Sequence, residues 1–351
     1  MDRNELLKKI KEDAPITGVD LSGMDLSGLD MKGAWFHGVN LKGADLSGAS
    51  LSGASFEETD LSGVDLSGAD LTGTMFKEAL LTGAALKGAD LSEAECSGCD
   101  LTRAVLKGAV LGGADFSGSS LSGADLGRAH LGQASFHGCD FAGADLTGAE
   151  LYRCDFTGSR FEGAVFREVS GELAEFCSAD LSGLDLSGLF LKDADFSQAR
   201  LSKVRFDGSD LTQANFSGAD LTGASMKGIR AESADFLGAV LVGALLQEAW
   251  LKAAAFIEAD LSGADLSGAD LTEALLIDSS CRAARFKGCR MAYADLSRAC
   301  LSGADFSKAY LVWARLHRAD TQGAQFAGAV TLNLMGTDKD LAEAEEWSPP
   351  F

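Results

Sequence analysis

Leu, Phe or Met recurs at every fifth residue from Leu21 to Phe326, and the register never slips. Of the 62 positions so spaced, 57 hold one of these three residues, and the exceptions are Cys96, Gly171, Ala231, Cys281 and Thr321. Five matches neither the 3.6-residue period of a helix nor the two-residue period of a strand. Such self-similarity marks an array of repeated units, so the 351-residue length does not translate into a count of ordinary domains. The unit reads small–Asp–Leu–Ser–Gly. In extended backbone the central Leu and the small residue two before it share a face, which turns the intervening Asp outward. The following Ser-Gly suits a corner, with Gly free to take positive φ.

The true period is longer. Every fourth central position from 36 to 256 reads Phe36, Phe56, Phe76, Cys96, Phe116, Phe136, Phe156, Phe176, Phe196, Phe216, Phe236 and Phe256, whereas the other 36 central positions from 21 to 256 hold only four Phe. A period of five alone would scatter Phe over all positions. Twenty residues, or four sides, therefore close one coil, and the Phe column is expected to stack as an interior ladder. Coils pairing through their backbones would rise ~4.8 Å each, so roughly fifteen coils would span on the order of 75 Å. After Phe256 the aromatic column moves one side along, to Phe286, Phe306 and Phe326. The expected fold class is an all-β solenoid, a quadrilateral β-helix over residues 16–335. Its ends need covers. Residues 1–15 place Leu6, Leu7 and Ile10 at helical spacing, suiting a helix over the first coil. Residues 336–351 carry a helix-start signal at Thr337-Asp338-Lys339-Asp340, and Pro349-Pro350 would end a helix capping the last coil.

Units such as ADLSG (44–48), ADLTG (69–73) and ANFSG (214–218) resemble the pentapeptide-repeat family, whose pattern is written A(D/N)LXX. The likeness runs over about nine tenths of the chain, in dozens of in-register copies. It implies a right-handed quadrilateral β-helix, in agreement with the twenty-residue period. Some members of that family bind type II topoisomerases such as gyrase by resembling duplex DNA, and protect them from quinolones. The lead-in ITGVDLSGMDLSGLDMKGAWF (16–36) also resembles pentapeptide proteins encoded beside type VI secretion accessory genes.

Chemistry-bearing residues are sparse. Cys96 and Cys281 take central positions, and Cys99, Cys139, Cys154 and Cys289 the small inward one, so six of the eight Cys read as buried apolar residues. The four His, at positions 37, 130, 137 and 317, are scattered and read as solvent-exposed. No metal motif, phosphate loop or distinguished nucleophile emerges, and a filled coil offers no cleft. The expectation is a non-enzyme with no cofactor and no metal. The net charge of −22 disfavours nucleic acid as a direct ligand and favours basic partners. No uninterrupted apolar run suits a signal peptide or a membrane span. A cytoplasmic bacterial setting is the corresponding expectation.

Departures from the repeat carry the remaining information. The outward position normally held by Asp is instead Phe190, Val240, Leu245, Trp250 or Tyr310. Val240, Leu245 and Trp250 fall on consecutive sides of about one coil, with Leu237, Val242 and Ile257 nearby. Phe190, Trp250 and Tyr310 differ by multiples of twenty and share one face. Between Arg282 and Arg318 stand eight Lys and Arg, among them Arg285, Arg290 and Arg315. The acidic tail (Asp338, Asp340, Glu343, Glu345, Glu346) is expected to fold back on this basic stretch, with a partner's acidic surface as the alternative. These apolar and basic positions are the candidate partner-binding residues. The leading expectation is a scaffold that binds a protein partner or pairs with itself. DNA mimicry toward gyrase and a type VI secretion adaptor are the alternatives.

Overall fold

A computed structural model describes residues 1–346; Trp347 and the expected stop at Pro349-Pro350 lie outside the described residues. The chain falls into two compact units, Met1–Asp180 and Leu181–Phe351. In each, the side of a coil pairs in parallel with the residue twenty positions on, as in Asp125 with Asp145 and Leu245 with Asp265. Among the described residues three runs extend into strands, β1 (Ile16–Thr17), β2 (Trp35–His37) and β3 (Ser55–Glu57), which form one parallel sheet with Phe36 opposite Phe56. Elsewhere each side contributes a single bridging residue between corners.

Three backbone hydrogen bonds per side hold successive coils, one of them from the corner residue, as Arg128 N donates to the Thr147 carbonyl at 2.9 Å. The central N–H donates forward and the outward N–H donates back: Leu126 N to the Asp145 carbonyl at 2.7 Å and Asp145 N to the Ala124 carbonyl at 2.9 Å in the first unit. Leu246, Asp265 and Ala244 repeat the pair at 2.7 and 2.9 Å in the second. Within each unit, parallel one-coil pairing satisfies the extended backbone, as buried amides require.

The interior is a set of columns. Phe116, Phe136, Phe156 and Phe176 stack face to face at centroid distances of 5.3, 5.2 and 5.1 Å. Phe36, Phe56 and Phe76 stack at 4.8 and 5.4 Å. In the second unit Phe196, Phe216, Phe236 and Phe256 stack at 5.0, 4.9 and 4.6 Å. The column on the next side, Phe286, Phe306 and Phe326, stacks at 4.9 and 5.1 Å. The ring spacing is near the backbone rise of ~4.8 Å, so identical residues one coil apart meet at van der Waals contact.

The corners depend on a left-handed residue two after each central position. Gly supplies it most often, but Glu58, Arg103, Lys203, Tyr293 and Trp313 adopt the same φ, at 50–61°. The outward Asp stabilises the corner that follows. Its Oδ1 accepts the N–H two residues on, as Asp60 does from Ser62 (2.9 Å) and Asp265 from Ser267 (3.0 Å), an Asx turn. Gly118 sits at φ +70° with no atom within 4 Å of an added Cβ. Gly118→Val should therefore cost about 1–2 kcal/mol from backbone strain alone, and Gly118→Asn much less. Urea titration of the two variants checks this.

The N-terminal helix α1 (Arg3–Lys11) is capped by Asp2, whose Oδ1 accepts Glu5 N at 2.8 Å, and it buries Leu6. Ile16, Leu21, Leu26 and Met31 of the first coil are fully buried. The C-terminal helix α2 (Lys339–Glu346) starts at Asp338, whose Oδ1 accepts Asp340 N and Leu341 N. It buries none of its residues and does not cover the last coil as expected, for Leu316 and Phe326 stay half-buried and Thr321 exposed. The reason is lateral anchoring: α2 is pulled to the wall of the β-helix by His317 and Arg318. Glu345 lies 3.3 Å from His317 and 3.1 Å from Arg318, and Glu346 lies 2.8 Å from Arg318.

Candidate interaction surfaces

Outward residues on one side form files with one-coil spacing. In the second unit one file runs through Phe190, Asp210, Arg230, Trp250, Asp270, Arg290, Tyr310 and Val330, each bridged to the next. Phe190, Trp250 and Tyr310 are 43%, 53% and 44% exposed. The Arg230 guanidinium lies 5.2 Å from the Trp250 ring centre, a cation–π contact between successive rows of the file. Beyond Trp250, the short Asp270 and the bare corners Gly268 and Gly288 leave a shallow depression of about 530 Å³, closed on its far side by Arg290.

The expected apolar band is narrower than its sequence suggests. Val240, Leu237 and Val242 are exposed, but Leu245 is half-buried between its bridge partners Ser225 and Asp265, and Ile257 is half-buried as well. Apolar surface lies elsewhere too. Tyr293 (59% exposed) and Trp313 (44%) stand one coil apart at a corner beside Tyr310, and Trp35, Met75 and Leu80 are exposed in the first unit. Trp35, Met75 and Leu80 occupy the same outward slot as Trp250, so the slot rule would have found them. Tyr293 and Trp313 hold the corner position, which sequence reasoning assigned to Gly.

The basic stretch is largely paired within its own unit. Arg285, Arg290 and Arg315 approach the Asp one coil below, Asp265, Asp270 and Asp295, at 3.7, 3.8 and 3.6 Å. Arg298 pairs with Asp278 at 2.6 Å and reaches Glu345 of the tail at 3.9 Å. The tail therefore meets the basic stretch at Arg298, His317 and Arg318, not along its whole length. Arg285, Arg290 and Arg315 keep most of their side-chain surface in solvent, at 68%, 76% and 63%. His317, expected in solvent, is buried, because α2 covers it and Asp338 N donates to its Nδ1 at 3.2 Å.

Cysteine chemistry is muted by burial. Cys96, Cys99, Cys139, Cys154, Cys281 and Cys289 are buried and all eight thiols are free. Burial pushes the Cys139, Cys154, Cys281 and Cys289 thiols up to about 12. Such thiols stay protonated and unreactive near neutral pH. Cys300 is half-exposed; hydrogen bonds from Ser302 and Arg282 lower its pKa. Among the described residues no group of three or more His, Cys, Asp and Glu is placed to hold a metal, and no helix is long and apolar enough to cross a membrane.

The family model for pentapeptide repeats matches in eight copies: residues 16–43, 40–77, 79–118, 119–158, 154–188, 191–228, 234–272 and 269–307. Solved structures similar to the chain include full-length QnrB1, a plasmid-mediated fluoroquinolone resistance protein. It is 18% identical over 56% of this chain and 93% of its own, with a TM-score of 0.36. HetL from Nostoc sp. strain PCC 7120, involved in heterocyst differentiation regulation, is 22% identical over 95% of this chain and 94% of its own, with a TM-score of 0.17. A pentapeptide repeat protein of the Arabidopsis thaliana thylakoid lumen is 33% identical over 37% of this chain and 66% of its own, with a TM-score of 0.16. No curated protein matches. At these TM-scores the solved structures say nothing about a partner. The repeat match rests on the same five-residue register that builds the coils, and by it the chain belongs to the pentapeptide-repeat family, folding as a right-handed β-helix.

Proposed function

We propose that this chain is a non-catalytic interaction scaffold, and that the face bearing Phe190, Trp250 and Tyr310 is its binding surface. The observation carrying this reading is Trp250. A half-exposed indole, met by Arg230 and opening onto a depression edged by Arg290, stands where the repeat calls for Asp. Trp, Tyr and Arg are the residues that dominate binding energy where proteins meet. Solubility and corner geometry are served by Asp at this slot and give no reason for Trp.

Photo-cross-linking in cells tests the reading. A benzoylphenylalanine placed at position 270, one coil from Trp250 on the same face, should yield a defined protein adduct, and one at Asp60 in the first unit should not. The adduct should disappear when Trp250→Asp is added. Equal labelling from both positions, or none from either, would count against the scaffold reading.

DNA mimicry is the second reading, and the file Asp25, Asp45, Asp65 in the first unit supports it. Yet Asp25, Asp45 and Asp65 each cap a corner through Ser27, Ser47 and Ser67, which explains their regularity without a partner. Inhibition of gyrase supercoiling at micromolar protein is the result that would promote this reading over the first.

A further inference from the structure

Along the face of Trp250 the outward residues run Phe190, Asp210, Arg230, Trp250, Asp270, Arg290, Tyr310, each bridged to the next. The order is aromatic, acid, base, stated twice and closed by an aromatic. Its rows are one coil apart, so the pattern repeats every three coils, about 14 Å.

This order has a symmetry consequence. Two copies of the face set parallel about a two-fold axis would oppose Asp to Asp and Arg to Arg. Set antiparallel, with the axis level with Trp250, every row finds a complement. Trp250 meets its own copy, Arg230 meets Asp270, Asp210 meets Arg290, and Phe190 meets Tyr310. A two-fold interface requires that if one residue contacts a second, the second contacts the first on the other side, and this file satisfies that condition in all seven rows. The charged rows lie between aromatic rows, so each prospective ion pair would be flanked by apolar contact on both sides.

We propose that a second copy of this chain occupies this face, antiparallel, about a two-fold axis at Trp250. The proposal rests on the scaffold reading of the same face and names its partner. The aromatic rows supply contact area, and the Asp–Arg rows set register, since a slip of one coil places aromatic residues against charges and opposes Asp210 to Asp270 in one direction or Arg230 to Arg290 in the other.

The experiment is sedimentation equilibrium of the full chain, with variants whose fold is secure because Asp is the usual residue at the outward slot. The wild-type protein should pass from monomer to dimer between about 1 and 100 µM. Trp250→Asp should weaken the dimer on the order of a hundredfold, because two carboxylates then face each other on the axis. Arg290→Asp should weaken it roughly tenfold by opposing Asp210 of the other copy. The double variant Asp210→Arg/Arg290→Asp should recover most of that loss. Positions 210 and 290 lie four coils apart in one chain, about 19 Å, so their rescue cannot arise within a monomer.

A chain that stays monomeric at about 100 µM overturns the proposal. So does a dimer indifferent to Trp250→Asp but lost with Leu332→Asp, which would place the contact at the uncovered last coil. A double variant no tighter than Arg290→Asp overturns the antiparallel register. A monomer that still gives a cross-link to a different protein from position 270 removes the dimer and leaves the scaffold reading standing.

Discussion

Replacing Phe136 with Ala should destabilise the first unit by about 3–5 kcal/mol, the range for emptying a buried aromatic site. The ring is fully buried, stacked between Phe116 and Phe156 at 5.3 and 5.2 Å and met edge-on by Phe141 at 5.4 Å. All three neighbouring rings lose contact together, and the bridged walls cannot collapse inward without breaking backbone pairing. With an m-value near 2 kcal/mol per molar urea, the transition of this unit should move down by roughly 1.5–2.5 M. Because an array is stabilised mainly by neighbour contacts, the transition of residues 181–346 should move little. Phe136→Leu should cost only about 1–2 kcal/mol, since the slot is built for either residue. A loss below about 1 kcal/mol for Phe136→Ala would show that the ladder is ornament and the backbone ladder carries the stability.

The second large effect comes from moving a carboxylate by one residue. Ala264 is fully buried and Asp265 points outward. Ala264→Asp should cost about 4 kcal/mol or more and can unfold the second unit, because the interior offers that carboxylate no partner. Asp265→Ala should cost only about 1 kcal/mol. What it removes is specific: Asp265 accepts from the Ser267 N–H and hydroxyl at 3.0 and 2.6 Å and lies 3.7 Å from Arg285. Partial burial pushes the Asp265 carboxyl up, but Ser267, Gln247 and Arg285 together outweigh it and hold the group below its ordinary 3.8. A carboxyl with a lowered folded pKa contributes stability above its unfolded value and loses it as pH falls through the folded one. The gap between wild type and Asp265→Ala should therefore be full at pH 7 and close as pH drops below 3.8. Thermal melts at both pH values check the sign, and a gap that widened in acid would contradict it.

These two sites show what is legible in a sequence of this kind. Inside and outside follow from the two-residue alternation about each central Leu, and Ala264 and Asp265 could be assigned without coordinates. The twenty-residue coil was legible because Phe is too large to be scattered at random through a packed interior. Trp250 stood out as a bulky residue in an Asp slot. Trp35 occupies an equivalent slot and is legible by the same rule.

Other features could not be read. Arg285, Arg290 and Arg315 look like an unbalanced basic stretch along the chain, yet their counter-charges lie twenty residues back, at Asp265, Asp270 and Asp295. The corner role of Asp was also hidden, because a charge on an outward slot is already explained by solubility. Tyr293 and Trp313 sit at left-handed corners where Gly is the easy choice, and the backbone pairing on both sides holds them there.

By itself the sequence determined the coil, its period, its inner columns and the slots that face water, because each follows from local alternation and residue size repeated without a break. The tertiary structure decided what lies next to what across coils and at the ends. It set Arg290 beside Asp270, placed Arg230 against the Trp250 ring, and drew α2 to the wall through Glu345, so that among the described residues the last coil stays uncovered. Those outcomes depend on contacts between residues twenty or more positions apart, whose energies are small, directional and invisible to any local pattern.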